Sequence, residues 1–118
     1  MKLENNPLQN KSYDFALRII KLSKKLANNK EFILSKQLLK SGTSIGANII
    51  EANGAISKAD FSSKMSIAYK ECLETKYWLS LLKDSGEIKE DEFVLLYDEA
   101  DELAKILFSI LKTTRINK

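Results

Sequence analysis

The 118-residue chain contains no histidine, one cysteine, one proline and four glycines. Lack of histidine excludes a Ser–His or Cys–His catalytic dyad and the Glu-x-x-His pairs of a di-iron helical bundle. The lone Cys72 cannot close an internal disulfide, and with no imidazole available the usual donors of a structural zinc or haem site are missing. Few turn residues argue against a small β-sandwich or barrel, which needs one roughly every eight to twelve residues. No glycine-rich phosphate loop of the Walker or dinucleotide type occurs. No uncharged apolar run reaches the about 18 residues of a membrane helix, and Met1 to Asn10 carries Lys2 but no apolar run after it. The expectation is a cytoplasmic, non-enzymatic protein with no catalytic residue, cofactor or metal.

What is present suits one core. With 44% hydrophobic residues the chain has apolar material for one interior and too little length for two, so residues 1–118 read as one domain with an ordered core over about 10–114. The net charge of +3 is unevenly spread: residues 1–40 hold nine basic and three acidic side chains, residues 84–104 one and nine. The molecule is expected to be electrically two-sided.

Apolar residues recur at intervals of three and four in four blocks. In the first, Phe15, Ile19, Leu22 and Leu26 form the stripe, Tyr13, Leu17 and Ile20 widen it, and Asn28 and Asn29 end it. The second, about 30–53, is crowded by Ser41, Gly42, Thr43, Ser44, Gly46 and Ala47. A glycine within a helix costs about 1 kcal/mol relative to alanine, so Gly42 and Gly46 call for a reason such as close approach of a neighbouring helix. A loop between two shorter helices is the competing account, but Leu34, Leu38, Ser41, Ile45, Ile49 and Ala52 stay in phase through the glycines, which favours one helix. The third block opens at Ser57-Lys58-Ala59-Asp60, a capping-box-like start. Its stripe is Phe61, Met65, Ala68, Cys72, Thr75, Leu79 and Leu82, flanked by Ile67, Glu71, Glu74, Trp78 and Leu81, a breadth that suggests burial on more than one side. Cys72 reads there as a small buried hydrophobe. After Ser85-Gly86 the fourth begins near Lys89 with Glu90, Asp91 and Glu92 at the dipole end that favours acids. Its core face runs from Phe93 and Leu96 through Ala100, Leu103, Ala104 and Leu107 to Leu111, with fraying expected from Ile116. These spacings predict an all-α fold, an antiparallel up-down-up-down four-helix bundle.

Two surface features could carry function. Lys11, Arg18, Lys21, Lys25, Lys36 and Lys40 form a basic set, read either as a solvated face or as contacts to RNA or DNA. Gln37, Lys40, Ser44, Asn48 and Glu51 form a polar row on the second helix, within a sector of roughly 80°. Ser, Asn and Gln are mediocre helix formers, so the row reads either as a buried hydrogen-bond network, with Glu74 and Trp78 as partners, or as a binding surface. The acids Asp98, Glu99, Asp101 and Glu102 spread around their helix and read as a solvated face.

The run from Gln37 to Ala52, with its Ser44-Ile45-x-x-Asn48-Ile49-x-Glu51 element, then Phe61, Ile67-Ala68, Glu74 and Trp78-Leu79, resembles the four-helix-bundle proteins encoded by intervening sequences within 23S ribosomal RNA genes. The resemblance covers about residues 10–113. Members of that family are similar to the accessory protein of diversity-generating retroelements, and the resemblance implies a homopentamer of antiparallel bundles that binds nucleic acid. Lys40 stands where an arginine is common, and Ala52 where a glycine is common. Lysine keeps the charge but loses the fork that grips a carboxylate or phosphate in two places. Two functions follow as expectations: an oligomer presenting the basic set to RNA, DNA or a nucleic-acid-associated protein, or a protein-interaction scaffold without nucleic acid, whose acidic fourth helix meets the basic first helix of a neighbouring subunit.

Overall fold

A computed structural model describes residues 5–116. Four helices account for nearly all of them, and no strand occurs among the described residues. They are α1 (Pro7–Asn28), α2 (Phe32–Asn53), α3 (Lys58–Asp84) and α4 (Glu90–Ile116).

Each start has a local cause. The Asn6 side chain accepts from the Gln9 backbone N–H at 3.1 Å, and Pro7 sits at the first helical position, where its missing N–H costs nothing. This signature sets α1 in motion three residues before the expected core at about residue 10. Glu31 caps α2 by accepting from Leu34 N–H at 3.0 Å. At α3 the expected capping-box-like start forms: Ser57 Oγ accepts from Asp60 N–H at 3.0 Å, and Asp60 reaches back past the cap to accept from Ile56 N–H at 3.3 Å. The stops are equally local. Gly86, at φ 81°, turns the chain out of α3 so that Glu87 N–H reaches Leu82 O at 2.8 Å. Between α1 and α2 the left-handed position falls not on an asparagine but on Lys30, at φ 66°. Helix α4 continues through Ile116, where fraying was expected to begin; residues 117–118 lie outside the described residues.

Helix α2 is unbroken through its small residues. Its hydroxyls fold back on their own helix, Thr43 donating to Leu39 O and Ser44 to Lys40 O, both at 2.6 Å. The glycines admit α1: a Cβ at Gly42 would lie 2.8 Å from Ile19 Cγ2, and one at Gly46 3.2 Å from Ser12 Oγ.

The helices pack as a bundle in which α1 touches α2 and α4, and α3 touches α2 and α4, the α1–α4 seam being the loosest. Phe15, Ile19, Leu38, Ile45, Ile49, Leu79 and Leu107 are fully buried in one apolar cluster. Two expectations need correction. Leu17 does not widen the α1 stripe but is half exposed, because it points away from both neighbouring helices. The second α3 stripe is not buried within the chain either: Ile67 and Glu74 are exposed, and Glu71, Trp78 and Leu81 only partly covered. No helix is long and apolar enough to cross a membrane among the described residues.

Candidate functional site

The basic set divides in two. Helices α1 and α4 meet along a seam of ion pairs: Lys11 with Glu102, Arg18 with Glu99 at 2.9 Å, and Lys25 with Glu92 at 3.6 Å. A seven-residue spacing on α1 returns each cation to nearly the same angle, so all three face the acidic helix. Through these three pairs the acidic fourth helix meets the basic first helix of its own chain. Lys11, Arg18 and Lys25 are partly neutralised in place. Lys21, Lys36 and Lys40, the other three, form no ion pair among the described residues. These pairs are largely exposed, so each adds only about 0–1 kcal/mol and their effect is mainly on the surface potential.

Under the ion pairs lie shallow hollows. One, of about 220 Å³, is lined by Lys11, Asp14, Arg18, Glu99, Glu102 and Leu103. A second, of about 270 Å³, has Leu22, Leu95 and Leu96 for its floor and Lys21, Lys25 and Glu92 at its rim. Burial pushes the Glu99 carboxyl above its ordinary pKa, with the Arg18 guanidinium pulling the other way. A third hollow, of about 230 Å³ and almost wholly apolar, lies between α1 and α2, with Ile20, Ala27, Phe32 and Leu39 in its wall and Lys24 and Lys36 at its edge. The Ser23 hydroxyl there is buried without a hydrogen-bond partner.

Within the chain the polar row does not form a hydrogen-bond network across helices. Ser44 bonds to its own helix, and Asn48 Nδ2 donates to Ser44 O at 2.8 Å. Gln37 and Lys40 are exposed. Glu51 reaches α3 through an ion pair with Lys64 at 3.0 Å. Neither Glu74 nor Trp78 bonds to the row, and the Trp78 indole N–H is buried without an acceptor. At the α2/α3 seam Glu71 is the perturbed group: burial first, then the Glu74 carboxylate, push its carboxyl up, while the Lys40 ammonium opposes them.

The side-chain hydrogen bonds between α2 and its neighbours lie elsewhere. Thr75 Oγ1 and Ser41 Oγ, both fully buried, are 3.0 Å apart between α2 and α3. Asn53 Nδ2 donates to Gln9 Oε1 at 2.8 Å, joining the end of α2 to the start of α1. A polar residue inside each apolar stripe, Ser41 in one and Thr75 in the other, was the available signal, because buried hydroxyls are nearly always paired. Burial pushes the Cys72 thiol up to about 12, so it stays protonated and unreactive. No group of three metal-ligating side chains gathers among the described residues.

Comparison with known proteins agrees on one family. The family described as 23S rRNA-intervening sequence protein matches over residues 4–109. Among solved structures, the chain is similar to a protein of unknown function from the S23 ribosomal protein family of Bacteroides thetaiotaomicron. Identity is 49%, the TM-score is 0.88, and the match covers 89% of this chain and 98% of that one. No curated protein matches.

Proposed function

The chain belongs to the 23S rRNA-intervening sequence protein family, and from that premise we propose that it is a non-enzymatic, homo-oligomeric scaffold built from antiparallel up-down-up-down bundles. The helix directions are supported by the order of the contacts: Gly42 and Gly46 meet Ile19 and Ser12, and Arg18 and Lys25 meet Glu99 and Glu92, so numbering rises on one helix as it falls on the next. The observation that carries the scaffold reading is the mismatch between charge and grease on the surface. Ion pairs within the chain occupy half of the basic set, whereas large apolar side chains including Phe32, Leu39, Tyr77, Val94 and Phe108 remain in solvent. Aligned exposed apolar residues mark contact surfaces.

Light scattering of the purified protein at micromolar concentration tests this. Expected is a mass of several chains, five on the family resemblance, with an absorbance ratio showing no nucleic acid. A mass of one chain, 13.4 kDa, refutes it.

A second reading keeps nucleic acid as the partner, and the absence of ion pairs at Lys21 and Lys36 among the described residues favours it. Repetition of a weak patch by oligomeric symmetry would strengthen it. On this reading, binding of RNA or DNA falls steeply with salt, and reversing Lys21 and Lys36 to Glu weakens it for all sequences alike. Absent or salt-independent binding in a filter assay rules it out.

A further inference from the structure

Helix α2 ends on Asn53-Gly54, and of the asparagines in the chain Asn53 is the one followed by glycine. The fold gives no reason for that glycine. Gly54 caps the helix at φ −100° and ψ 15°, close to the conformation that Asn29 (φ −89°, ψ 13°) and Ser85 (φ −85°, ψ −1°) adopt as caps of α1 and α3. A Cβ at Gly54 would find Glu51 O at 3.8 Å, an ordinary van der Waals contact. Gly86, at positive φ, and Gly42, against Ile19, have the backbone and packing reasons that Gly54 lacks. What a glycine supplies at this position is chemical: a backbone nitrogen with no side chain to shield it from the amide carbon of Asn53.

Asn53 is exposed, yet its amide is held. Its Nδ2 donates to Gln9 Oε1 at 2.8 Å, and Gln9 is buried in the first turn of α1, where its backbone N–H donates to the Asn6 cap. The Gly54 N–H donates to Glu51 O at 3.2 Å, and the Ala55 N–H to Ala52 O at 3.0 Å. Together these bonds close the last turn of α2 and tie it to α1. The end turn of a helix opens more readily than its middle, and each opening frees the Gly54 nitrogen and the Asn53 side chain at once.

We propose that Asn53-Gly54 is a site of spontaneous covalent modification, at which Asn53 converts to aspartate and isoaspartate and the tie between α2 and α1 is lost. The Gly54 nitrogen gives up its proton to solvent base and attacks Asn53 Cγ. The new N–Cγ bond closes a succinimide ring, the Cγ–Nδ2 bond breaks, and the nitrogen leaves as ammonia with a proton from water. Water then opens the ring at one of its two carbonyls. Breaking N–Cγ leaves aspartate; breaking the bond from N to the main-chain carbonyl carbon leaves isoaspartate, whose chain runs through Cβ. No oxidant or reductant takes part. Aspartate sets a carboxylate against the Gln9 Oε1 acceptor, at the helix end where the dipole disfavours negative charge. Turning the Gln9 amide over would bring its nitrogen to Asn6 Nδ2, which lies 3.5 Å from Oε1, donor against donor. Asn6 cannot turn in response, because its Oδ1 caps α1. Isoaspartate adds a carbon to the main chain and moves the Gly54 N–H off Glu51 O. The intact tie therefore slows the reaction, and the reaction removes the tie.

Incubation of the purified full chain for days in mildly alkaline buffer, followed by peptide mapping in a mass spectrometer, tests this. Expected is the mass gain of an amide-to-acid exchange in the peptide that holds Asn53, split between aspartate and isoaspartate, with Asn29 and Asn48 unchanged. Gly54→Ala, for which the structure has room, is expected to keep the wild-type circular dichroism and to slow the conversion several-fold. Gln9→Ala removes the acceptor and is expected to speed it about fivefold, the rise in open population that loss of one hydrogen bond gives. Asn53→Asp makes one product directly and should unfold at a lower urea concentration than the wild type. A folded wild type whose Asn53 stays intact while the same chain in urea converts overturns the site. Equal rates in wild type and Gly54→Ala overturn the part given to the glycine. A Gln9→Ala rate no faster than wild type, or an Asn53→Asp chain as stable as wild type, overturns the tie to α1.

Discussion

Replacing Gly42 by alanine should destabilise the protein, although alanine is the best helix former and glycine among the worst. Two opposing contributions decide the outcome. The helix itself gains about 1 kcal/mol from the exchange. Against this, the new Cβ would lie 2.8 Å from Ile19 Cγ2, 3.0 Å from Cγ1 and 3.2 Å from Cβ. Ile19 is fully buried, and its β-branch allows essentially one χ1 rotamer in a helix, so it cannot turn away. Forcing a methyl into such a site costs about 1–3 kcal/mol, and contact with three atoms of a stiff side chain places this case in the upper half of that range. The net expectation for Gly42→Ala is a loss of about 1–2 kcal/mol.

Gly46→Ala provides the control. Its Cβ would meet Ser12 Oγ at 3.2 Å, which needs a shift of a few tenths of an ångström, and that hydroxyl is tied to Gln9 O at 2.8 Å. Gain and cost should nearly cancel there. Urea unfolding followed by helical circular dichroism, at one protein concentration so that assembly does not confound the comparison, measures both. As a further check, Ile19→Ala should cost about 1 kcal/mol less in the Gly42→Ala background than in the wild type, because the added methyl fills part of the cavity. Stabilisation of Gly42→Ala by about 1 kcal/mol, as helix propensity alone would give, would refute the close approach of α1 as the reason for the glycine.

Two further outcomes follow from the seams. Glu71→Gln should stabilise the protein at neutral pH: burial and the Glu74 carboxylate raise the Glu71 pKa in the fold, so its ionised form opposes folding above that pKa and the opposition fades as pH falls through it. The advantage of Glu71→Gln, read from unfolding at pH 7 and pH 4, should shrink at the lower pH, and an advantage unchanged with pH would contradict this account. Cys72, its thiol held up at about 12 by burial, should resist an alkylating reagent at pH 8 in the folded protein and react fully in urea; rapid labelling without denaturant would mean that the α3 core opens.

The four helices, their core faces and the unbroken α2 were legible because each follows from local rules: the three-and-four spacing of Phe15 to Leu26 or Met65 to Leu82, the Ser57 cap, the Gly86 stop. The first turn of α1 was legible in Asn6-Pro7 as well, although the apolar stripe alone starts later. What the row Lys40-Ser44-Asn48 does was not legible, because composition cannot distinguish a hydroxyl bonded to a neighbouring helix from one folded back on its own carbonyl. The fate of the basic set was hidden for a related reason. Lys11, Arg18 and Lys25 read as a free cationic face until α4 is placed beside them.

Chain chemistry by itself thus determined the helices and which side of each turns inward, since periodicity and capping act within a few residues of one another. Only the tertiary arrangement decided which charges cancel within the chain, which hydroxyls pair across the core and which apolar residues stay in solvent. Those outcomes depend on distances between residues up to 91 positions apart, as for Lys11 and Glu102, and spacing along one helix carries no information about them.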